Sequence, residues 1–128
     1  MLLHEDITDK IISAFYKVYN TLGYGFLEKV YENALLCELQ LLELNVLNQF
    51  PIAVFYNGKK VGQYFADALV ESKVIIEIKA ADGILAEHES QLINYLKATD
   101  IEVGLLLNFG KKPEFRRKIF TNDRKQIH

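Results

Sequence analysis

The spacing of apolar residues changes character once along this chain, and that change limits the folds open to it. Up to residue 44 they recur at three and four, the period of a helix with one buried face. The series Ile7, Ile11, Ile12, Phe15, Val18, Tyr19 and Leu22 predicts a helix over 7–22, ended by Gly23. Leu27, Val30, Tyr31, Ala34, Leu35, Leu39 and Leu42 predict a second over 26–44, with Gly23 and Gly25 permitting a tight joint between the two. Past Asn45 the texture is that of strands. Ile52-Ala53-Val54-Phe55-Tyr56 leads into Asn57-Gly58, the favoured pair for a type I′ hairpin turn. A strand returns over 60–70, turns at Glu71-Ser72-Lys73 and comes back as Val74-Ile75-Ile76-Glu77-Ile78-Lys79, completing an antiparallel meander.

Leu85, His88, Gln91, Leu92, Tyr95 and Leu96 then predict a third helix over 85–98. The apolar run 103–109 lacks alternation, as expected of a strand covered on both faces. A helix between strands makes a crossover, so this last strand should pair parallel to a meander strand. The expected class is α/β, in the order ααβββαβ, with a mixed central sheet flanked by helices. Residues 111–117 read as a loop, and Lys118-Ile119-Phe120 as a short edge strand or helix.

At 128 residues, half of them hydrophobic, the chain is the size of one compact domain, with a core at about 7–110. The single cysteine, Cys37, sits in the apolar run Ala34-Leu35-Leu36-Cys37 and reads as a small core residue in a reducing compartment. No basic region followed by an apolar stretch opens the chain, and no run approaches the ~18 apolar residues of a membrane span. The expectation is a soluble, cytoplasmic protein without a membrane partner. The net charge of −2 hides an asymmetry: residues 1–110 hold 8 Lys/Arg against 15 Asp/Glu, and residues 111–128 hold 7 against 2. That basic tail, with Lys111, Lys112, Arg116, Arg117, Lys118, Arg124 and Lys125, either attracts a polyanion or simply solvates the C-terminus.

Chemistry is concentrated at the second meander turn. Side chains alternate along a strand, so Glu77 and Lys79 share a face opposite Val74, Ile76 and Ile78. A hairpin symmetric about Ser72 sets Asp67 across from Glu77, with Cβ atoms roughly 4.5–5.5 Å apart. Two carboxylates so placed repel unless a cation or a shared proton relieves them. Oxygen-only ligands suit Mg²⁺ or Mn²⁺ better than zinc. Lys79 can stabilise charge developing on a phosphate oxygen, and the set describes a phosphodiester hydrolysis site. The bland alternative is a surface ion pair between Lys79 and either acid. Glu28 shares a stripe with Tyr31, Leu35, Leu39 and Leu42, which turns a carboxylate toward an apolar face; otherwise it serves the helix dipole from the first turn. Gln91 and Tyr95 are spaced i, i+4, with His88 three residues earlier, and can bond a phosphate or order a water, or merely satisfy a boundary between helix and sheet.

These residues resemble a known pattern. Asp67, followed after nine residues by Glu77-Ile78-Lys79, is similar to the PD-(D/E)xK nuclease signature, with Ala66 where that signature has proline. Gly25-Phe26-Leu27-Glu28-Lys29-Val30-Tyr31 matches the GxxExxY pattern that names one small family of that superfamily. His88 to Leu96 resembles its third-helix segment, including the Gln-x-x-x-Tyr of RecB-like and lambda-exonuclease-like nucleases, and Gly104-Leu105-Leu106-Leu107-Asn108-Phe109-Gly110 its last core strand. The resemblance implies a restriction-endonuclease-like core. It implies Asp67 and Glu77 as ligands of Mg²⁺, with Mn²⁺ able to substitute, the Ile78 carbonyl as a third ligand, and Lys79 as the catalytic lysine. Glu28 would complete or support the metal site, Gln91 and Tyr95 would position substrate or water, and Tyr31 would support Glu28. Phe65 stands where the family usually carries a basic residue.

The expected function is a Mg²⁺-dependent nuclease acting on nucleic acid, most readily DNA, and at this size a homodimer gripping a duplex is compatible with it. The alternatives are a catalytically silent module of the same fold that binds nucleic acid or a protein partner, and a hydrolase of a small phosphorylated metabolite. The acidic body speaks for caution, since dedicated duplex binders are more basic; against a silent module, all four catalytic residue types are present.

Overall fold

The computed structural model describes residues 2–126. Its elements are α1 (Glu5–Leu22), α2 (Glu28–Leu41), β1 (Val46–Tyr56), β2 (Lys59–Val70), β3 (Val74–Lys79), α3 (Ala86–Lys97), β4 (Val103–Phe109) and β5 (Pro113–Ile119), followed by a 3-10 turn at Asn122–Arg124. The five strands form one sheet in the order β1-β2-β3-β4-β5, antiparallel except for the parallel pair β3–β4. The crossover through α3 makes that parallel pair, as a helix between neighbouring strands requires. The expected order is thus extended by one strand at the C-terminus.

Alternation along β3 sorts the core into two layers. Val74, Ile76 and Ile78 pack with Phe15, Tyr31, Leu35 and Phe109 under α1 and α2. Ile75 faces the other way, with Leu92, Tyr95 and Leu96 of α3 and Leu106 of β4. β4 is buried along its whole length, which explains its unbroken apolar run. Both turns of the meander carry two successive residues with positive φ, Asn57 at 51° with Gly58 at 75° and Glu71 at 53° with Ser72 at 55°. That is the requirement of a type I′ turn, whose twist matches the strands it joins.

Four expectations need correction. α2 ends at Leu41, short of residue 44, because Glu43 takes φ 60° and Leu44 N–H donates to Leu39 O, closing the helix with a left-handed residue that is not glycine. β1 begins at Val46, well before Ile52; Pro51 is accommodated because β1 is an edge strand with no ladder on its outer side. Cys37 is exposed, because α2 carries apolar residues around most of its circumference and only Tyr31, Glu32, Leu35 and Leu39 are buried. Residues 113–117, expected as a loop, are strand: β5 runs from Pro113 to Ile119, and of the two alternatives at Lys118-Ile119 the edge strand is the one formed.

The basic C-terminal segment is spent largely on structure. Lys118 Nζ lies 2.6 Å and Arg116 Nε 3.9 Å from the Glu89 carboxylate of α3. Arg117 donates to Leu3 O, and Phe115 packs under α1. Lys125 Nζ donates to Thr99 O and Ile101 O, and Arg124 lies over the Phe120 ring at 4.5 Å. Lys111 and Lys112 remain exposed.

Candidate active site

The β2–β3 register is Ala68↔Ile76, Leu69↔Ile75 and Val70↔Val74, symmetric about Ser72, with one residue more between the paired positions than at Asn57-Gly58. The ladder stops at Ala68. At the next position Asp67 and Glu77 face each other, and side chains take over the bonding that backbone performs elsewhere. Asp67 Oδ2 accepts from Ile78 N–H at 2.7 Å, and Glu77 Oε1 accepts from Asp67 N–H at 3.3 Å. The strands part here, and two carboxylates fill the wedge.

Asp67 also marks a break in alternation. Ala66 packs on the α3 side, whereas Ala68, two residues on, packs under α1 and α2. The same switch occurs in β1 between Val46 and Phe50, through Gln49 at φ 56°, in the gap between the pairs Asn48↔Ala68 and Phe50↔Ala66. This kink turns the β1–β2 hairpin so that its outer half covers α3. Gln49 Nε2 donates to Glu32 Oε1 at 2.8 Å, joining β1 to α2 beside Asp67.

The electrostatics follow from burial. Glu77 is 5% exposed, and loss of hydration together with the adjacent Asp67 charge pushes its carboxyl up to about 8. Asp67 is also raised, chiefly by burial and then by Glu32 and Glu28, against the lowering effect of the Ile78 N–H. Among the described residues neither carboxylate has a salt-bridge partner. The expected alternative of a solvated ion pair with Lys79 is therefore not what this face holds. Lys79 Nζ instead donates to Gln91 Oε1 at 3.4 Å. Tyr95, 5% exposed, is pushed up to about 12 by burial and by Glu77 and Asp67, so its hydroxyl keeps its proton.

This donor set fits a hard divalent cation. Two carboxylates are forced together without positive charge between them, and both are strained toward protonation. Among the described residues no third His, Cys, Asp or Glu closes a three-donor cluster with them. Further ligands would come from backbone carbonyl, water or substrate, which is how Mg²⁺ is usually held.

Of the helix-borne acids, Glu28 is the first residue of α2 and is exposed, so it favours the helix dipole and does not open an apolar face. The acid buried on that helix is Glu32, 6% exposed, held by Gln49 and by Lys29 at 3.4 Å. Glu32 was not singled out in the sequence; its one signal is the i, i+4 spacing from Glu28. Tyr31 is fully buried and stacks on Phe109 at 4.4 Å, while its hydroxyl donates to Gly23 O at 2.7 Å and accepts from Phe26 N–H at 3.2 Å. These bonds tie the Tyr31 hydroxyl to the backbone of the α1–α2 joint, just before Glu28. His88 Nδ1 accepts from Leu85 N–H at 3.1 Å and caps α3.

One clamp is not predicted from the sequence. Asn108, fully buried and opposite Lys79 in the β3–β4 register, donates to Ala81 O at 3.0 Å and accepts from Ala81 N–H at 2.9 Å. Gly110 lets the two segments meet, since a Cβ there would lie 2.3 Å from Ala81 O. The pair fixes the chain where it leaves Lys79.

The model of the PD-(D/E)XK nuclease superfamily matches residues 5–118, and the chain belongs to that superfamily. Nuclease activity is what such a domain suggests, and divalent metals are its usual cofactors. Among solved structures, one described as the crystal structure of SSO0001 shares the fold, with a TM-score of 0.61 over 76% of this chain at 22% identity. This chain spans about half, 52%, of that one. A comparison with curated proteins finds no match. Among the described residues no helix is long and apolar enough to cross a membrane.

Proposed function

We propose that this chain is a divalent-metal-dependent nuclease that hydrolyses phosphodiester bonds of DNA. The observation that carries the reading is the Asp67–Glu77 pair, two carboxylates pressed together in a partly buried wedge with a lysine one pleat beyond. Asp67 and Glu77 would hold Mg²⁺ or Mn²⁺ with the Ile78 carbonyl, and Glu28, whose charge reaches Asp67 from the start of α2, would support the set without joining the pair as a third ligand. The bound cation would neutralise the pair, acidify a water and polarise a phosphoryl oxygen.

The chain's own groups do the rest. Lys79 presents positive charge to the oxygens that gain negative charge as the phosphate is attacked. Gln91, by accepting from Lys79, restrains that side chain and leaves its amide nitrogen to donate to phosphate or water. The Tyr95 hydroxyl, kept protonated, is a donor to a non-bridging phosphate oxygen. Within the superfamily, Gly25, Glu28 and Tyr31 support a place in the GxxExxY family.

The test is cleavage of end-labelled single-stranded DNA, duplex DNA and RNA in Mg²⁺, Mn²⁺ or EDTA, beside Lys79→Ala purified identically. Metal-dependent cleavage of DNA that the variant lacks is the expected result. Nucleic-acid binding without cleavage above the variant would mark a silent module of the same fold.

A further inference from the structure

The β1–β2 hairpin outlasts the rest of the sheet: β2 pairs with β3 only as far as Ala68↔Ile76, and beyond that the hairpin strands pair with each other alone. The kink at Gln49 and Asp67 leans this arm over α3, leaving a cleft of about 600 Å³ between them. One wall is apolar, made by Val54, Val61 and Tyr64 of the hairpin. The other is a polar stripe of α3, Ser90, Gln91 and Asn94. The Tyr95 ring sits 5.7 Å from that of Tyr64, tilted by 46°, and Tyr64 is 50% exposed. Gln91 and Tyr95 thus belong both to this cleft and to the surroundings of the carboxylate pair.

We propose that the cleft takes one unpaired nucleobase of the strand whose phosphate lies at Asp67 and Glu77, so that the substrate is a single strand or an opened end. The proposal rests on the nuclease reading. Aromatic rings offer a base its preferred stacking surface, and amide and hydroxyl groups on the facing wall match the donors and acceptors along its edge. The volume lies in the range of pockets that enclose one small ligand. A base inside a duplex is stacked above and below and paired across, so entering a cleft between a hairpin and a helix requires unpairing and unstacking it. Charge points the same way. The cleft contains Glu87 and no lysine or arginine, so affinity here comes from stacking more than from phosphate neutralisation, and its dependence on salt is shallow.

The probe is an oligonucleotide with one 2-aminopurine, whose fluorescence changes on stacking, titrated in Ca²⁺ as a single strand and as a blunt duplex with the probe internal. Tyr64→Ala, at an exposed position, removes one ring; Ser90→Trp, also exposed, fills the cleft. The expected result is a saturable signal from the single strand, weakened about 5-fold or more by either variant, and none from the duplex. Equal binding by wild type and both variants, or an equal signal from the duplex, overturns the proposal. Free deoxyadenosine monophosphate competing as well as the oligonucleotide overturns the strand and points to a free nucleotide. Cleavage in Mg²⁺ is scored separately against Lys79→Ala. Probe binding without cleavage overturns the nuclease and leaves the cleft's occupant standing. Cleavage of single strands and blunt duplexes alike, undiminished in Tyr64→Ala, overturns the cleft and leaves the nuclease.

Discussion

Asp67 and Glu77 each bond to backbone at the other's side of the hairpin: Asp67 accepts from Ile78 N–H, and Glu77 accepts from Asp67 N–H. The Asp67 and Ile78 N–H groups are thereby satisfied by acceptors that carry, or resist carrying, a negative charge. The arrangement holds both carboxylates rigidly in place at the end of a ladder, and it is costly as long as no cation is present. Stability given up at this one point is what a cation bound under the proposed function would restore.

The cost has a sign in pH. The folded chain keeps Glu77 protonated to about pH 8, whereas the unfolded chain ionises it from its ordinary 4.5. Stability from this group is complete below pH 4.5, falls as pH rises through the window, and is lost above about 8. Asp67, also raised, adds in the same direction. Melting of the protein in EDTA should therefore show a decline in Tm from pH 5 to 8.5. Glu77→Gln should flatten that decline and stabilise the metal-free protein at pH 8 by about 2–4 kcal/mol. A Tm that rises over this range in wild type, or is unchanged by the substitution, contradicts the account.

Metal binding should run the opposite way. A cation competes with the proton on the pair, so its affinity increases with pH and protons are released on binding. Thermal shift with Mg²⁺ or Mn²⁺ should be small at pH 6 and grow toward pH 8, and should vanish in Asp67→Asn and Glu77→Gln. At a concentration 100 times Kd the stabilisation is about 3 kcal/mol. A shift of the same size at both pH values would separate the metal from these carboxylates.

What the sequence revealed and what it concealed divide along physical lines. The register of β2 and β3 is legible because Glu71-Ser72 forms a tight turn and alternation in Val74, Ile76 and Ile78 then orients everything that follows. Asp67, Glu77 and Lys79 come with it. Glu32 is not legible, because the acid that α2 buries depends on Gln49 in a strand 17 residues away, and positive φ at a glutamine leaves no mark in composition. β5 was hidden by its own charges: Arg116 and Lys118 look like a solvated tail until Glu89 of α3 is placed above them. An edge strand rich in basic residues is a common protection against pairing with other chains.

The two acids of α2 can be separated by experiment. Glu28 is exposed at the helix N-terminus, so Glu28→Gln should change unfolding free energy by no more than about 0.5 kcal/mol while lowering metal-dependent cleavage tenfold or more. Glu32 holds Gln49 at the kink, so Glu32→Ala should leave that amide without its partner and cost about 1–3 kcal/mol. Loss of cleavage in Glu32→Gln with full activity in Glu28→Gln would transfer the helix-borne role from one to the other.

Tyr31→Phe tests the joint that presents Glu28. The ring is buried against Phe109, and the phenylalanine keeps that packing while removing the hydroxyl. Two backbone groups of the joint, Gly23 O and Phe26 N–H, lose a partner. The expected cost is about 1–2 kcal/mol in denaturant unfolding. Hydrogen exchange should quicken at Phe26 and in the first turn of α2, while the β3–β4 amides stay protected.

Asn108 is the most consequential buried polar residue outside the wedge. Its amide returns both of the hydrogen bonds that Ala81 can make, and Gly110 is close enough to Ala81 that the loop after Lys79 has no room to shift. Asn108→Ala leaves an N–H and a carbonyl unsatisfied and opens a cavity beneath the end of β3, at a cost of about 2–4 kcal/mol. Because the change acts where the chain leaves Lys79, the lysine is released from its alignment with Gln91, and cleavage should fall while metal-induced thermal shift persists. Asn108→Asp separates stability from alignment: it keeps the acceptor for Ala81 N–H but sets a second acceptor against Ala81 O, so it should be at least as damaging as alanine. An Asn108→Asp protein as stable and active as wild type would show that the clamp does not hold the site.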